Sequence, residues 1–206
     1  MTLPPLTDSL VEAAVRNQGE ARTRLLELSS GRLRGMALAR LASEPDRWNA
    51  AEDIAQEALL ALDRGLDRLE SRTARAWLAF QSTVVSRKIA DHFRERRAPE
   101  RAAALAPGPD ASSVGPLLGV LAASGPSPSS MAGAREAAVV ALDELGALRE
   151  LHREAITLAL FDQLETREIG ERLGMSRTSA ANLLARALES LRARYAKRLA
   201  HEGSPP

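Results

Sequence analysis

A run of short and polar side chains, residues 177–182, stands at the start of a predicted helix and is suited to hydrogen bonding with DNA bases. The expected contacts of this first turn are Arg177, Thr178, Ser179, Ala181 and Asn182. A helix that enters the major groove of DNA tip-first presents side chains of this kind. By itself the pattern fits an ordinary helical hairpin in a bundle equally well.

The elements that would position these side chains form a helix, a tight turn and a second helix. Ile169 and Leu173 share one face of a short helix that Thr166 is expected to cap. Gly174 can end that helix in the left-handed conformation. Ser176 is a good N-cap for the helix that follows, which places the polar run in its first turn.

Charge is unevenly spread along the chain, although the formal net charge is only +1. Residues 44–57 contain five acids and one base, residues 87–101 contain six bases and three acids, and residues 186–201 contain five bases and one acid. A charge run is often just a solvated helix face. The separation by sign nevertheless favours two partners of different chemistry.

No catalytic or metal-binding pattern is present in the sequence. His92, His152 and His201 are scattered, and His92 is expected to be exposed. The chain has no cysteine, which excludes disulfides, thiolate chemistry and Cys-type zinc sites. No stretch approaches the roughly 20 apolar residues of a membrane span, and no signal pattern opens the chain. We therefore expect a soluble cytoplasmic protein that is not an enzyme and has no cofactor, metal or membrane partner.

Helices are predicted throughout, because Ala, Leu and Arg are abundant and no alternating β-branched run occurs. Ser9 and Glu12 have the spacing of a capping box, as do Asn49 and Glu52. A helix over 21–41 is expected to be interrupted near residues 29–31, and a loop is predicted at residues 45–46. The helix after Asn49 should bury one stripe of side chains. That stripe consists of Ile54, Ala58, Leu62, Leu66 and Leu69.

A further helix, predicted over 74–97, has a basic second half. Its apolar face should contain Leu78, Val85, Ile89 and Phe93. The basic residues that can spread around its exposed side are Arg87, Lys88, Arg94, Arg96 and Arg97. They could contact phosphates and bases. Positive side chains near a helix C-terminus also suit the helix dipole without any ligand.

The composition changes abruptly after residue 98 to Pro, Gly, Ala and Ser, which predicts a linker without core elements. Within it residues 114–123 are apolar, so they could pack on a partner or on the chain's own domains. The second domain is expected to start near Ala134. Its first helix should bury Ala138, Leu142 and Leu145, and the next runs from Leu148 to Leu160.

Four segments in this order resemble a known family. They are AEDIAQEALL at 51–60, FQSTVVSRKIADHFRERR at 80–97, PSPSSMAGARE at 126–136 and FDQLETREIGERLGMSRTSAANLLARALESLR at 161–192. The chain is similar to bacterial RNA polymerase sigma factors of the extracytoplasmic-function class in the sigma-70 family. The Pro-Ser segment is similar to that of planctomycete-type members.

The resemblance implies an all-α protein of two small helical domains joined by a flexible linker. The expected parts are a sigma-2-like domain at 1–98, a linker at 99–133 and a sigma-4-like helix-turn-helix domain at 134–202. The function implied is to direct core RNA polymerase to promoters and to initiate transcription. Asp53, Gln56 and Glu57 would dock on the clamp helices of the beta-prime subunit. The beta flap, promoter DNA and a possible anti-sigma factor are the other implied partners.

The resemblance also assigns DNA contacts. Those for the minus-ten element are Arg87, Lys88, His92, Arg94, Arg96 and Arg97. In the helix for the minus-thirty-five element, Ala181 and Leu183 replace a lysine and an arginine common in the family, and Arg87 stands where many members have asparagine. Base reading upstream would then depend on Arg177, Ser179 and Asn182, with Arg186 on phosphate.

Two other protein classes share some of these features. A stand-alone transcriptional regulator would use the helix-turn-helix on operator DNA, but it leaves the acidic helix and the first basic helix without roles. A helical adaptor without DNA contact predicts that Arg177 and Arg186 are dispensable for transcription. Charge reversal at Asp53 and Glu57 separates a sigma factor, which would lose polymerase association, from the regulator.

Overall fold

Helices are the regular elements of the computed structural model, which describes residues 6–16, 19–95, 115–122 and 131–202. The helices in these ranges are α1 Asp8–Val15, α2 Gly19–Arg40, α3 Arg47–Gly65, α4 Ala74–Glu95, α5 Gly115–Ala122, α6 Met131–Gly146, α7 Glu150–Leu160, α8 Thr166–Leu173 and α9 Arg177–Glu202. A short 3-10 turn, Leu66–Arg68, follows α3. These elements confirm the predicted all-α class. None of the described helices is long and apolar enough to cross a bilayer.

The described residues fall into two compact units. The first contains those up to Ala37 and those from Trp48 to Glu95, and the second contains Leu38–Arg47 together with those from Gly115 onward. The exact domain limits expected from the sequence, at 98 and 134, stay predictions, because residues 96–114 and 123–130 are outside the described ranges.

In the first unit α2 is continuous, so the predicted interruption near residues 29–31 is wrong. The hydroxyl of Ser29 donates to the carbonyl of Leu25 over 2.7 Å. The same oxygen accepts the indole N–H of Trp77 at 3.1 Å and the amide N–H of Gln81 at 3.0 Å. Ser29, Trp77 and Gln81 are all buried. Tertiary hydrogen bonds therefore satisfy the polar side chain that favoured a break locally.

Neither predicted capping box in the first unit forms. Thr7 caps α1 by accepting from the backbone of Leu10, and Glu12 pairs with Arg16. Likewise α3 begins at Arg47, so Asn49 lies inside the helix. Glu52 instead forms an ion pair with Arg34 of α2, with 2.6 Å between Oε2 and Nε. In both cases the glutamate pairs with an arginine that lies outside the four-residue capping motif.

Four of the five residues in the predicted apolar stripe are buried, whereas Leu69, which follows the 3-10 turn, is only partly buried. Ile54, Ala58 and Leu62 face the core of the first unit, and the buried Leu66 belongs to the 3-10 turn. On α4, Val85 and Ile89 are buried as expected, whereas Phe93 near the C-terminus is 40% exposed. The apolar face of α4 thus ends one turn earlier than its sequence suggests.

The second unit contains α5, which lies inside the predicted linker. Leu117 and Leu121 are buried, and α5 packs on α6. The prediction that this stretch contributes nothing to a core is therefore wrong for α5, while packing on the chain's own domain is confirmed. Ala138, Leu142 and Leu145 of α6 are buried as predicted.

Candidate nucleic-acid interface

The turn between α8 and α9 is closed by two glycines. Gly174 has a φ of 68°, the left-handed conformation expected from the sequence. Gly170 accepts the backbone N–H of Met175 at 2.9 Å, and a Cβ at position 170 would lie only 2.8 Å from the carbonyl oxygen of Met175. The requirement at 170 was not predicted, because the close approach depends on how the chain folds back.

The ends of the two helices are capped locally. Glu165 precedes α8, and its backbone N–H donates to Oε2 of Glu168 over 2.8 Å, so the expected cap at Thr166 is one residue too late. Ser176 caps α9 as predicted, since its hydroxyl accepts the backbone N–H of Ser179 at 3.1 Å. The acidic side chain of Glu168 also suits the positive end of the α8 dipole.

A small apolar core fixes the angle between these helices. Leu158 of α7, Ile169 of α8 and Ala180 of α9 are buried together, and Met175 packs against them. Because Ala180 and Leu184 face this core, Ala181 and Asn182 between them face away from it. The orientation of the candidate DNA-binding face is thus set by packing.

All side chains predicted to contact upstream DNA are exposed on α9. They are Arg177, Thr178, Ser179, Ala181, Asn182 and Arg186. The hydroxyl of Ser179 is 2.9 Å from that of Ser176, so it takes part in the cap. Leu183, by contrast, is partly buried. The face therefore offers two long donors, Arg177 and Arg186, and one amide, Asn182, for hydrogen bonds with DNA.

The basic C-terminal half of α9 is tied to α6. Glu144 of α6 is 8% exposed and pairs with Arg194 at 2.8 Å and with Arg198 at 3.8 Å. These two arginines thus help to hold α9 against α6, so part of the basic run in α9 has a structural role. The other basic side chains of α9 can contact phosphate only where no acidic side chain pairs with them.

The predicted polymerase-binding residues lie on the exposed face of α3. Asp53, Gln56 and Glu57 are all exposed, at the spacing that puts them on one side of a helix. The amide of Gln56 donates to Oε1 of Glu52 over 3.2 Å. Their exposure makes these three side chains accessible to a partner protein.

The predicted minus-ten residues of α4 differ in their surroundings. Arg87 is exposed, and Arg94 forms an ion pair of 3.0 Å with Asp91 one turn before it. His92 is partly buried, with its Nε2 shielded from solvent, so the expectation that it is exposed is wrong. Arg96 and Arg97 lie outside the described residues.

One ion pair connects the predicted polymerase-binding residues of α3 with the predicted minus-ten residues of α4. Nζ of Lys88 on α4 lies 2.9 Å from Oε2 of Glu57 on α3. The pKa of Lys88 is raised, chiefly by this hydrogen bond, and the carboxylates of Asp91 and Glu95 add to the effect. The pair lies at a polar cavity of about 270 Å³ between α3 and α4. From the sequence, Glu57 was predicted to lie on the polymerase-binding surface and Lys88 on a separate DNA-binding surface.

A second depression, an apolar groove of about 630 Å³, lies between α2 and α3. Leu60, which lines this groove, has an apolar side chain that is 57% exposed. Its neighbours there include Leu26 of α2 and Gln56 of α3. The exposure of Leu60 could have been predicted from the sequence, because its position does not belong to the buried stripe of α3.

Comparison with protein families matches two parts of the chain. The description Sigma-70 region 2 matches residues 26–98, and Sigma-70, region 4 matches residues 139–191. Together these ranges span more than half of the chain. No curated protein and no solved structure matches it.

Proposed function

Because the chain belongs to the sigma-70 family, we propose that it is an extracytoplasmic-function sigma factor that directs core RNA polymerase to specific promoters and initiates transcription. The observation that carries the proposal is the presence of regions 2 and 4, in that order, on one chain. A stand-alone regulator needs only the second. The Pro-Ser sequence at 126–136 favours a planctomycete-type member.

Docking on polymerase is assigned to α3. Asp53 and Glu57 would offer carboxylates to cationic side chains of the beta-prime clamp helices, while Gln56 and Leu60 border the apolar groove beside α2. A charged rim next to an apolar centre is the usual composition of a specific interface. We propose that the groove extends the docking surface, which supplies burial of apolar area that the acids alone lack.

Melting of the minus-ten element is assigned to α4. Its exposed Arg87 and the residues that follow would hold the phosphates of the separated strand, and Phe93 near its end offers an exposed ring on which a base can stack. Unstacking costs a few kcal/mol per base, so such contacts must offset it. No covalent chemistry is needed, which is why we propose that the chain is not an enzyme and uses no cofactor or metal.

Upstream recognition is assigned to α9. Arg177 and Asn182 would read base edges in the major groove of the minus-thirty-five element, and Arg186 would contact phosphate. The beta flap would hold the second domain at this position. Since polymerase sets the distance between the two domains, the linker need not do so.

The free chain is expected to bind DNA weakly. Its net charge is +1, so long-range attraction to phosphate is small, and the two DNA-binding domains gain from each other only when held at promoter spacing. An anti-sigma factor would act by covering one of these surfaces. The site of action is the cytoplasm, where the polymerase is.

Run-off transcription with core polymerase tests the proposal. Genomic fragments, including the region upstream of the protein's own gene, should give discrete transcripts only when the chain is added. Tight sequence-specific binding by the purified chain alone, without stimulation of core polymerase, would favour the stand-alone regulator.

The double charge reversal Asp53→Lys with Glu57→Lys separates the two classes further. A sigma factor loses co-purification with core polymerase, while its helix-turn-helix is unchanged. Unaltered association with polymerase but altered DNA binding would support the regulator. A chain that tolerates alanine at both Arg177 and Arg186 in the run-off assay would instead be a helical adaptor.

A further inference from the structure

The ion pair between Glu57 and Lys88 joins one residue of the proposed polymerase surface to one of the proposed DNA surface. The two atoms are 2.9 Å apart, and the residues are 31 positions apart on different helices. The contact is therefore a tertiary one, unlike the Arg94–Asp91 pair within α4. The carboxylate of Glu57 can therefore pair either with Lys88 or with a cationic side chain of the polymerase.

Three acids on α3 and α4 act on the charge of Lys88. Glu57 accepts its hydrogen bond, and Asp91 and Glu95 lie close enough to favour its protonated form. A phosphate that approaches Lys88 must compete with Glu57 for the ammonium protons, because both are oxygen acceptors. As long as the pair is closed, Lys88 attracts DNA less than its sequence position suggests.

The pair is also accessible enough to open. The side chain of Glu57 is 60% exposed and that of Lys88 is 31% exposed. Exposed ion pairs contribute little to stability, so separating the two partners is inexpensive. A cationic side chain of a partner protein can therefore take Glu57 away from Lys88.

We infer that the Glu57–Lys88 pair couples polymerase docking to DNA binding: when polymerase takes Glu57, Lys88 is released to bind a phosphate of the unpaired strand. The inference rests on the proposed function and deepens it. It also requires the converse, since coupling between two binding events is reciprocal, so DNA held at Lys88 leaves Glu57 free for polymerase.

The size of the effect follows from the exposure of the pair. Exposed ion pairs correspond to roughly two- to fivefold in an equilibrium constant. Release of Lys88 should therefore raise affinity for single-stranded DNA by about that factor. The pair thus makes the free chain a somewhat poorer DNA binder, in addition to the larger effect of unlinked domains.

Fluorescence anisotropy with labelled single-stranded DNA of mixed sequence tests this on the full chain without polymerase. Glu57→Gln should raise affinity about two- to fivefold at low salt, with a smaller gain at high salt. Asp53→Asn is the matched control, because it removes the same charge from the same helix at a residue for which no bond to Lys88 is seen. It should raise affinity clearly less.

The double variant Glu57→Gln with Lys88→Gln identifies the released group. If Lys88 carries the excess gain, Glu57→Gln raises affinity no more than Asp53→Asn does in a chain that already contains Lys88→Gln. Equal gains for Glu57→Gln and Asp53→Asn in the native background, or an excess gain for Glu57→Gln that survives the loss of Lys88, would overturn the inference. Thermal unfolding of every variant verifies that each is folded.

Binding to core polymerase separates this inference from the proposed function. If the native chain binds core and supports run-off transcription but Glu57→Gln gives no excess gain, only the coupling is wrong. If the native chain does not bind core polymerase, the proposed function fails whatever the DNA measurements give.

Discussion

The indole N–H of Trp77 donates a hydrogen bond of 3.1 Å to the hydroxyl of Ser29, and both side chains are buried. Gln81 donates to the same oxygen. Ser29→Ala leaves two buried donors without an acceptor, which should lower the free energy of unfolding by about 1–3 kcal/mol. Denaturant titration followed by tryptophan fluorescence measures the change.

The neighbouring Ser30→Ala is the control for this change. It lies on the same helix, partly buried at the edge of the groove rather than in the hydrogen-bonded network. Its midpoint should stay near that of the native chain. If Ser29→Ala and Ser30→Ala lowered the free energy of unfolding equally, the hydrogen bonds from Trp77 and Gln81 would not be the cause of the loss.

Gly170→Ala should disturb the helix-turn-helix by steric overlap. The new methyl would lie 2.8 Å from the backbone oxygen of Met175, so the turn must shift, at a cost of about 1–3 kcal/mol. The expected result is a lower thermal midpoint and weaker upstream DNA binding. Circular dichroism and gel-shift titration measure these two quantities.

Gly119→Ala provides the comparison for that variant. No atom lies within 4 Å of a Cβ at this position in α5, and alanine favours the helix. It should leave the thermal midpoint unchanged or slightly higher. A drop as large as that of Gly170→Ala would argue against a steric cause.

Asn182→Ala and Arg186→Ala should weaken DNA binding in different ways. Loss of the amide should relax preference at one base pair, by about 1–3 kcal/mol of discrimination. Loss of Arg186 should weaken binding to all sequences and lower the salt slope by about one. Polymerase-dependent footprinting on promoter variants, at several salt concentrations, distinguishes them.

The control for these variants is Arg135→Ala. Arg135 is exposed on α6 and is not among the proposed DNA contacts, so the change removes the same charge as Arg186→Ala. Footprints should be close to those of the native chain. If it reduced binding as much as Arg186→Ala does, net charge rather than a specific phosphate contact would be responsible.

Leu60→Ala tests the groove beside α2. Since Leu60 is 57% exposed, its truncation should change stability little, yet it should weaken binding to core polymerase about tenfold if the groove is filled by the partner. Surface plasmon resonance against immobilised core polymerase gives the affinity. Unchanged affinity would confine docking to the acidic side of α3.

Stability at alkaline pH should depend on Tyr195. Burial raises the pKa of its phenol above the ordinary value of 10.0, so the folded state keeps the proton longer than the unfolded state. The contribution is fully present below about pH 10 and is lost as pH rises through the folded pKa. Urea titrations on both sides of pH 10 measure this loss.

The matched variant is Tyr195→Phe, which lacks the ionisable group but keeps the ring. Its stability should fall less steeply over the same pH range. The comparison is favourable because the chain has only two lysines, Lys88 and Lys197, and both are present in the two proteins compared. Parallel slopes for the two proteins would assign the alkaline loss to other groups.

Local signals explain what could be predicted from the sequence. The cap at Ser176, the left-handed Gly174 and the buried stripe of α3 each depend on a few neighbouring residues, and each is found. Ser29 and Gly170 could not be interpreted in this way. Their partners, Trp77 and Met175, meet them only after the chain has folded.

The same distinction applies to the candidate sites. Exposure of the polar face of α9 followed from periodicity, because Ala180 identifies the opposite side. The Glu57–Lys88 contact did not, since it joins two helices whose mutual rotation no local pattern fixes. The groove beside Leu60 needed both α2 and α3 in place.

Ala181 is an exposed residue in the first two turns of a helix whose folding depends on other positions. A longer side chain there would extend toward solvent, with little effect on the packing of the helix-turn-helix. Position 181 is therefore a natural starting point for directed evolution of promoter choice. Libraries at this single codon could yield mutually orthogonal transcription factors from one stable scaffold.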